Sequence, residues 1–194
     1  MVPLSTVQTA LLVTVPGLRG SGEGHWQTWL EGQFERSTRV QQRDWAHPEL
    51  DEWAQQIVRT VAAAEEPVVL VAHSFGCLAT ARALADLALP AVRGVLFVAP
   101  ARPERFAVQV EQLAGRLTCP SIVVGSENDP WMPLNDARAL AQRWGSSFLN
   151  YGLSGHINTE AGFGPWEMGR QMILSLMHCA RPARSEAPAH ALAA

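Results

Sequence analysis

The sequence predicts an α/β protein, a three-layer α/β/α sandwich with about six mainly parallel strands. Three observations carry this. Short runs rich in β-branched residues alternate with longer stretches of helical period. Several of these runs are apolar at consecutive positions, as strands covered on both faces must be. The chain, at 194 residues with 47% hydrophobic and 17% charged content, suits one globular domain able to bury a large core.

The strands are expected at 11–15, about 39–43, 68–71, 95–98, 122–124 and 147–149. Between them Leu50, Trp53, Ile57, Val58 and Val61 recur at helical spacing. Ala137, Leu140, Ala141 and Trp144 do the same, as do Met172, Ile173, Leu176 and Met177. Alternation at this pace calls for right-handed βαβ units. The domain is expected to span 1–180, and the Pro/Ala-rich stretch 181–194 lacks apolar period and reads as a flexible tail. The central strands follow one another too closely to admit a cap domain.

Composition excludes several chemistries. All fifteen basic residues are arginine. A phosphate-binding lysine, a Schiff-base lysine and a Ser-Lys dyad are therefore absent. The single tyrosine, Tyr151, has no lysine to form a dehydrogenase dyad. A net charge of −3 leaves no basic footprint for nucleic acid. Three cysteines (Cys77, Cys119 and Cys179) form neither a disulfide framework nor a C-x-x-C zinc pattern. No His-x-x-x-His or carboxylate–His spacing suggests a metal, and no cofactor is expected. The apolar stretch "ALLVTVPG" is too short and too β-branched for a secretory or membrane segment, and the expected location is the cytoplasm.

In a parallel sheet, function gathers at the carboxyl ends of the strands. The loops there hold Ser74 in "AHSFG", Asp129 in "SENDP" and His156 in "LSGHIN". "AHSFG" has the shape of a G-x-S-x-G nucleophile turn, with Ala72 in place of the first glycine and Gly76 as the second. Small residues are needed there because the serine sits at strained angles between a strand and a helix. A serine needs a base, and the base needs an orienting carboxylate. His156 and Asp129 are the candidates. The backbone amides of Phe75, opening the helix, and Leu18, in "PGLRG", are the candidate oxyanion donors. His25, Trp26, Trp131 and Trp166 adjoin these loops and are candidates for the wall of a substrate pocket.

Competing readings stand beside these. Ser74 could be a helix N-cap, and Asp129 a turn residue with Glu127 or Asp136 as the true acid. His73 precedes the serine and is expected to point away from its hydroxyl. His47, His178 and His190 fall on a turn, a terminal helix and the tail. Cys77 is expected to pack in the core.

The segments "PGLRGSGEGHWQTWL", "RDWAHPELDEW", "AHSFG", "SENDPWMP" and "SGHINTEAGFGPW" resemble the small, lidless α/β-hydrolases typified by retinoblastoma-binding protein 9 and its bacterial serine-hydrolase relatives. The resemblance spans about 11–177, and the order Ser, Asp, His along the chain is the one α/β-hydrolases use. It implies the α/β-hydrolase fold and a serine hydrolase working through Ser74, Asp129 and His156. The expected reaction is hydrolysis of a small-molecule ester, less readily an amide, through an acyl-enzyme. A non-catalytic scaffold that binds protein, and an acyltransferase with the same acyl-enzyme, are the alternatives. No protein partner is indicated.

Overall fold

The computed structural model describes residues 10–86 and 89–179. Six parallel strands form one sheet in the order β2-β1-β3-β4-β5-β6. They are β1 (Leu11–Val15), β2 (Ser37–Arg39), β3 (Val68–His73), β4 (Val92–Val98), β5 (Ser121–Gly125) and β6 (Ser147–Asn150). Five α-helices connect and cover them: α1 (Trp26–Glu31), α2 (Leu50–Ala62), α3 (Phe75–Asp86), α4 (Leu134–Trp144) and α5 (Glu167–Cys179). This is the α/β-hydrolase arrangement without a cap domain. The expected tail, 181–194, lies outside the described residues.

The strand sequences divide the core in two by simple alternation. Val13, Val15, Leu70, Ala72, Val95, Phe97 and Val123 face the core shared with α2, α3 and α4. Leu12, Val69, Val71, Leu96, Val98 and Val124 face the core shared with α1 and α5. Both faces of β3 are buried along its whole length, which accounts for its unbroken apolar run.

One expected strand is displaced. The second strand is Ser37–Arg39, not 39–43. It is an edge strand, and its register with β1 pairs Leu12 with Ser37 and Thr14 with Arg39. Arg39 is drawn into a bidentate pair with Glu31 of α1, at 2.8 and 2.9 Å, and also donates to the Ser21 carbonyl at 2.7 Å. Past Val40 the chain turns, with the Asp44 carboxylate accepting the amides of Ala46 and His47. β3 and β4 also run longer than expected, β3 ending at His73 and β4 starting at Val92.

Between β1 and β3 the order of the sheet reverses, and the crevice at such a point is where open parallel sheets place their sites. The two strand ends are held in contact there. Gln27, fully buried on α1, donates its side-chain amide to the carbonyls of Val15 and Val71 and accepts the Ser21 hydroxyl. Gly76, in the first turn of α3, lies directly under the end of β1. A Cβ there would meet the carbonyl oxygens of Val15 and Pro16 at 2.5 Å. Ala72 has its room on β3, where its methyl is buried in the α2–α3 core.

Among the described residues no helix is long and apolar enough to cross a membrane. The close approach at Gly76 makes a prediction. Gly76→Ala forces the backbone of the β1 loop away from α3 and lowers the unfolding free energy by about 1–3 kcal/mol, the usual cost of overpacking, as measured by urea denaturation. An unchanged midpoint would mean that the two segments are not held this tightly.

Candidate active site

Ser74 occupies the turn between β3 and α3 with φ +54°, in the left-handed region that L-residues seldom adopt. The turn is held by backbone bonds: the Ser74 amide donates to the Val98 carbonyl, and the Ser74 carbonyl accepts from Cys77 and Ala101. Gly17 of the β1 loop packs against it, since a Cβ at that position would lie 2.7 Å from the Ser74 Cβ. Among the described residues, the amides of Leu18 and Phe75 have no protein acceptor.

The structure brings Ser74, His156 and Asp129 together. The Ser74 hydroxyl lies 2.8 Å from Nε2 of His156, and Nδ1 of His156 lies 2.9 Å from both carboxylate oxygens of Asp129. A carboxylate accepts, so Nδ1 carries the imidazole proton and Nε2 is free to accept from the serine. The Asp129 side chain is about 1% exposed, and its Oδ1 also accepts the Trp131 amide at 2.8 Å. Glu127 and Asp136 stand elsewhere: Glu127 accepts from Asn150, and Asp136 lies 3.6 Å from Arg102.

Side chains not singled out from the sequence hold the two loops together. The Asn128 side-chain carbonyl accepts the Gly155 amide at 2.7 Å, and the Ser126 hydroxyl accepts the Ser154 amide at 2.9 Å. Both lie beside Asp129 in "GSEND", but nothing in their residue types announces that their partners are backbone amides of the histidine loop. His73 donates Nε2–H to the His156 carbonyl at 2.9 Å, and Trp26 donates its indole N–H to the Ile157 carbonyl at 2.8 Å. His73 thus grips the histidine loop.

The site opens into a cavity of about 300 Å³ lined in part by Leu18, His25, Ser74, Phe106, Trp131 and His156. Arg19 and the Asn158–Glu160 turn complete its rim. His25 and Trp131 line the cavity, as expected. Trp26 and Trp166 do not, and this corrects the expectation for both. Their rings pack edge to face behind the site, 5.1 Å apart, and each is buried. Nearness in sequence to an active loop does not fix which way a side chain faces; here the apolar core under α1 and α5 claims both.

Cys77 is fully buried, and burial pushes its thiol well above the ordinary range, so it packs as a core residue. His47 pairs with Asp44 on the surface, and His190 lies outside the described residues. Among the described residues no group of three or more His, Cys, Asp or Glu side chains is placed to hold a metal ion.

Comparison with known proteins assigns this fold and site to a class. The sequence model of the family described as "Serine hydrolase" matches residues 12–175. The chain belongs to this family and is a serine hydrolase. A protein described as a YdeN-like hydrolase from Pectobacterium atrosepticum is 39% identical with a TM-score of 0.85, over 90% of this chain and 94% of that one. The ydeN gene product of B. subtilis shares the fold at 21% identity and TM-score 0.72, over 88% and 100% of the two chains. Est1E from Butyrivibrio proteoclasticus, solved with ferulic acid bound, shares it at 12% identity and TM-score 0.67, over 87% and 88%. No curated protein sequence matches significantly.

Two imidazoles beside the site are held neutral. Burial, then the charges of Arg39 and His156, lowers His25 to about 4. Burial, then His156 and His25, holds His73 well below its ordinary value of 6.5. In the unfolded chain both bind a proton as the pH falls below about 6.5, while the folded state resists it. The unfolded state then binds more protons, so stability falls as the pH drops below 6.5, and the share due to His25 stops growing below about 4. Urea unfolding at pH 7 and pH 5 checks this: the midpoint is expected to be lower at pH 5, and His25→Gln is expected to reduce the difference.

Proposed function

We propose that this serine hydrolase cleaves a carboxylic ester, and less readily an amide, through an acyl-enzyme formed on Ser74. The observation that carries this reading is the hydrogen-bonded line from Ser74 Oγ through His156 to the buried Asp129. Oγ attacks the substrate carbonyl as His156 Nε2 takes the hydroxyl proton. The carbonyl π electrons move onto oxygen, and the amides of Leu18 and Phe75, which lack protein acceptors, receive that oxyanion. Asp129 keeps the imidazole in the tautomer with the proton on Nδ1 and stabilises the imidazolium. Collapse of the intermediate expels the alcohol, which leaves with the proton held on Nε2. Water then enters, gives a proton to His156 and attacks the acyl carbon. The second collapse releases the acid and returns the proton to Ser74.

The absence of a cap domain supports a small or extended substrate entering from solvent. The motifs shared with the retinoblastoma-binding protein 9 group support the same mechanism. No cofactor enters any step. Three cysteines without disulfides favour the cytoplasm as its place of work.

Labelling with a fluorophosphonate tests the reading. Wild type is expected to label and to hydrolyse p-nitrophenyl esters, and Ser74→Ala to do neither while keeping its fold. A folded wild type that takes no label would favour a scaffold that binds protein. Asp129→Asn is expected to lower kcat by roughly 10⁴-fold, as loss of the orienting carboxylate does in other triads; a change under tenfold would remove Asp129 from the mechanism.

A further inference from the structure

Three imidazoles meet at the cavity. His156 is bound to Ser74 and Asp129, and His73 to the His156 carbonyl. His25 differs. Its Nδ1 accepts the Gln27 amide at 3.2 Å, capping α1. The ring is neutral near pH 7, and a neutral imidazole whose Nδ1 accepts carries its hydrogen on Nε2. That Nε2 is buried and, among the described residues, has no hydrogen-bond partner. The residue is only 6% exposed, yet it lines the same cavity as Ser74. Its ring stands 5.0 Å from that of His73, which stands 5.0 Å from that of His156. A buried donor without an acceptor is costly to a fold, and this one belongs to a residue that lines the cavity beside Ser74.

We infer that His25 Nε2–H is a hydrogen-bond donor to substrate, and that the preferred esters carry an acceptor oxygen, as a hydroxy, alkoxy or oxo group, in the part that enters the cavity. This deepens the ester-hydrolase reading and rests on it. The geometry selects by penalty as much as by attraction. A plain alkyl group leaves the donor unpaired, and sites built around a buried polar group reject analogues that lack its partner. Leu18, Phe106 and Trp131 supply apolar wall to the same cavity, beside the polar Arg19 and the Asn158–Glu160 turn.

Two near-isosteric ester pairs test the inference. One pair places the oxygen in the acyl part (p-nitrophenyl methoxyacetate against p-nitrophenyl butyrate), the other in the alcohol part (2-methoxyethyl acetate against butyl acetate). Each kcat/KM is divided by the ester's rate of alkaline hydrolysis. Wild type is expected to favour the oxygenated member of at least one pair. His25→Ser, which keeps an oxygen to cap the Gln27 amide but withdraws the donor, is expected to cut that preference roughly tenfold, the effect of one hydrogen bond. His25→Asn, which offers both a cap oxygen and an amide donor, is expected to keep part of it. Equal preference in wild type and His25→Ser overturns the inference.

A second measurement is independent of turnover. In ¹⁵N-labelled Ser74→Ala protein, the oxygenated ester is expected to shift the His25 Nε2 resonance and its alkyl partner not to. The same response to both overturns the inference. Loss of hydrolysis in wild type with the differential shift intact would instead overturn the hydrolytic mechanism and leave the donor in place.

Discussion

The site depends on the close approach of the β1 loop to the serine turn. Two glycines make it possible from opposite sides. Gly17 leaves space for the Ser74 side chain, and Gly76 lets α3 begin directly beneath the carbonyls of Val15 and Pro16. The contact falls where the strand order reverses, so the chain leaves β1 and β3 on diverging paths and opens a crevice between them. Gln27 closes the base of this crevice by bonding the Val15 carbonyl at the end of β1 and the Val71 carbonyl of β3. With those ends fixed, the left-handed conformation of Ser74 is imposed by its surroundings. A non-glycine residue persists there only when neighbouring structure over-determines it.

The histidine loop is fixed by a different means. Its conformation is also unfavourable, with the β-branched Ile157 at φ +46° just after His156. Four side chains brace its backbone around His156: His73 and Trp26 bond the carbonyls of His156 and Ile157, while Asn128 and Ser126 bond the amides of Gly155 and Ser154. Two of these side chains come from the loop that carries Asp129, so the acid and the imidazole are positioned by one network. The other two come from β3 and α1. The loop is therefore referenced to the same crevice as Ser74, which keeps the 2.8 Å contact between serine and imidazole from depending on loop rigidity alone.

This division explains what the sequence could disclose. Ser74, Asp129 and His156 were legible because strand ends in a parallel sheet converge on one edge, and the serine turn has a recognisable small-residue frame. The alternation within β1, β3, β4 and β5 was legible because burial on both faces leaves an apolar run. The short edge strand β2 was misplaced by two residues at its start and four at its end because its position follows from pairing with β1 and from the Arg39–Glu31 contact, both long-range. Ser126 and Asn128 were missed for a related reason. Their partners are backbone amides, present at nearly every residue, so the pairing leaves no trace in residue type. Trp26 and Trp166 were misread because an amphipathic ring near a site serves the core as readily as the cavity.

The three imidazoles at the site illustrate how burial shapes the chemistry open to it. The proposed mechanism requires His156 to become positively charged twice in each cycle. A second imidazolium at the 5.0 Å of His73, or at His25 beyond it, would oppose that charge in a poorly solvated space. Keeping both rings neutral removes the conflict, and it leaves each with a single N–H of fixed position. His73 spends its own on the loop that carries the base. His25, fixed by the cap it forms on α1, is left with a donor that meets no acceptor among the described residues. The same desolvation that protects the charge of His156 thus creates a polar demand beside Ser74, which an oxygen-bearing substrate is suited to meet.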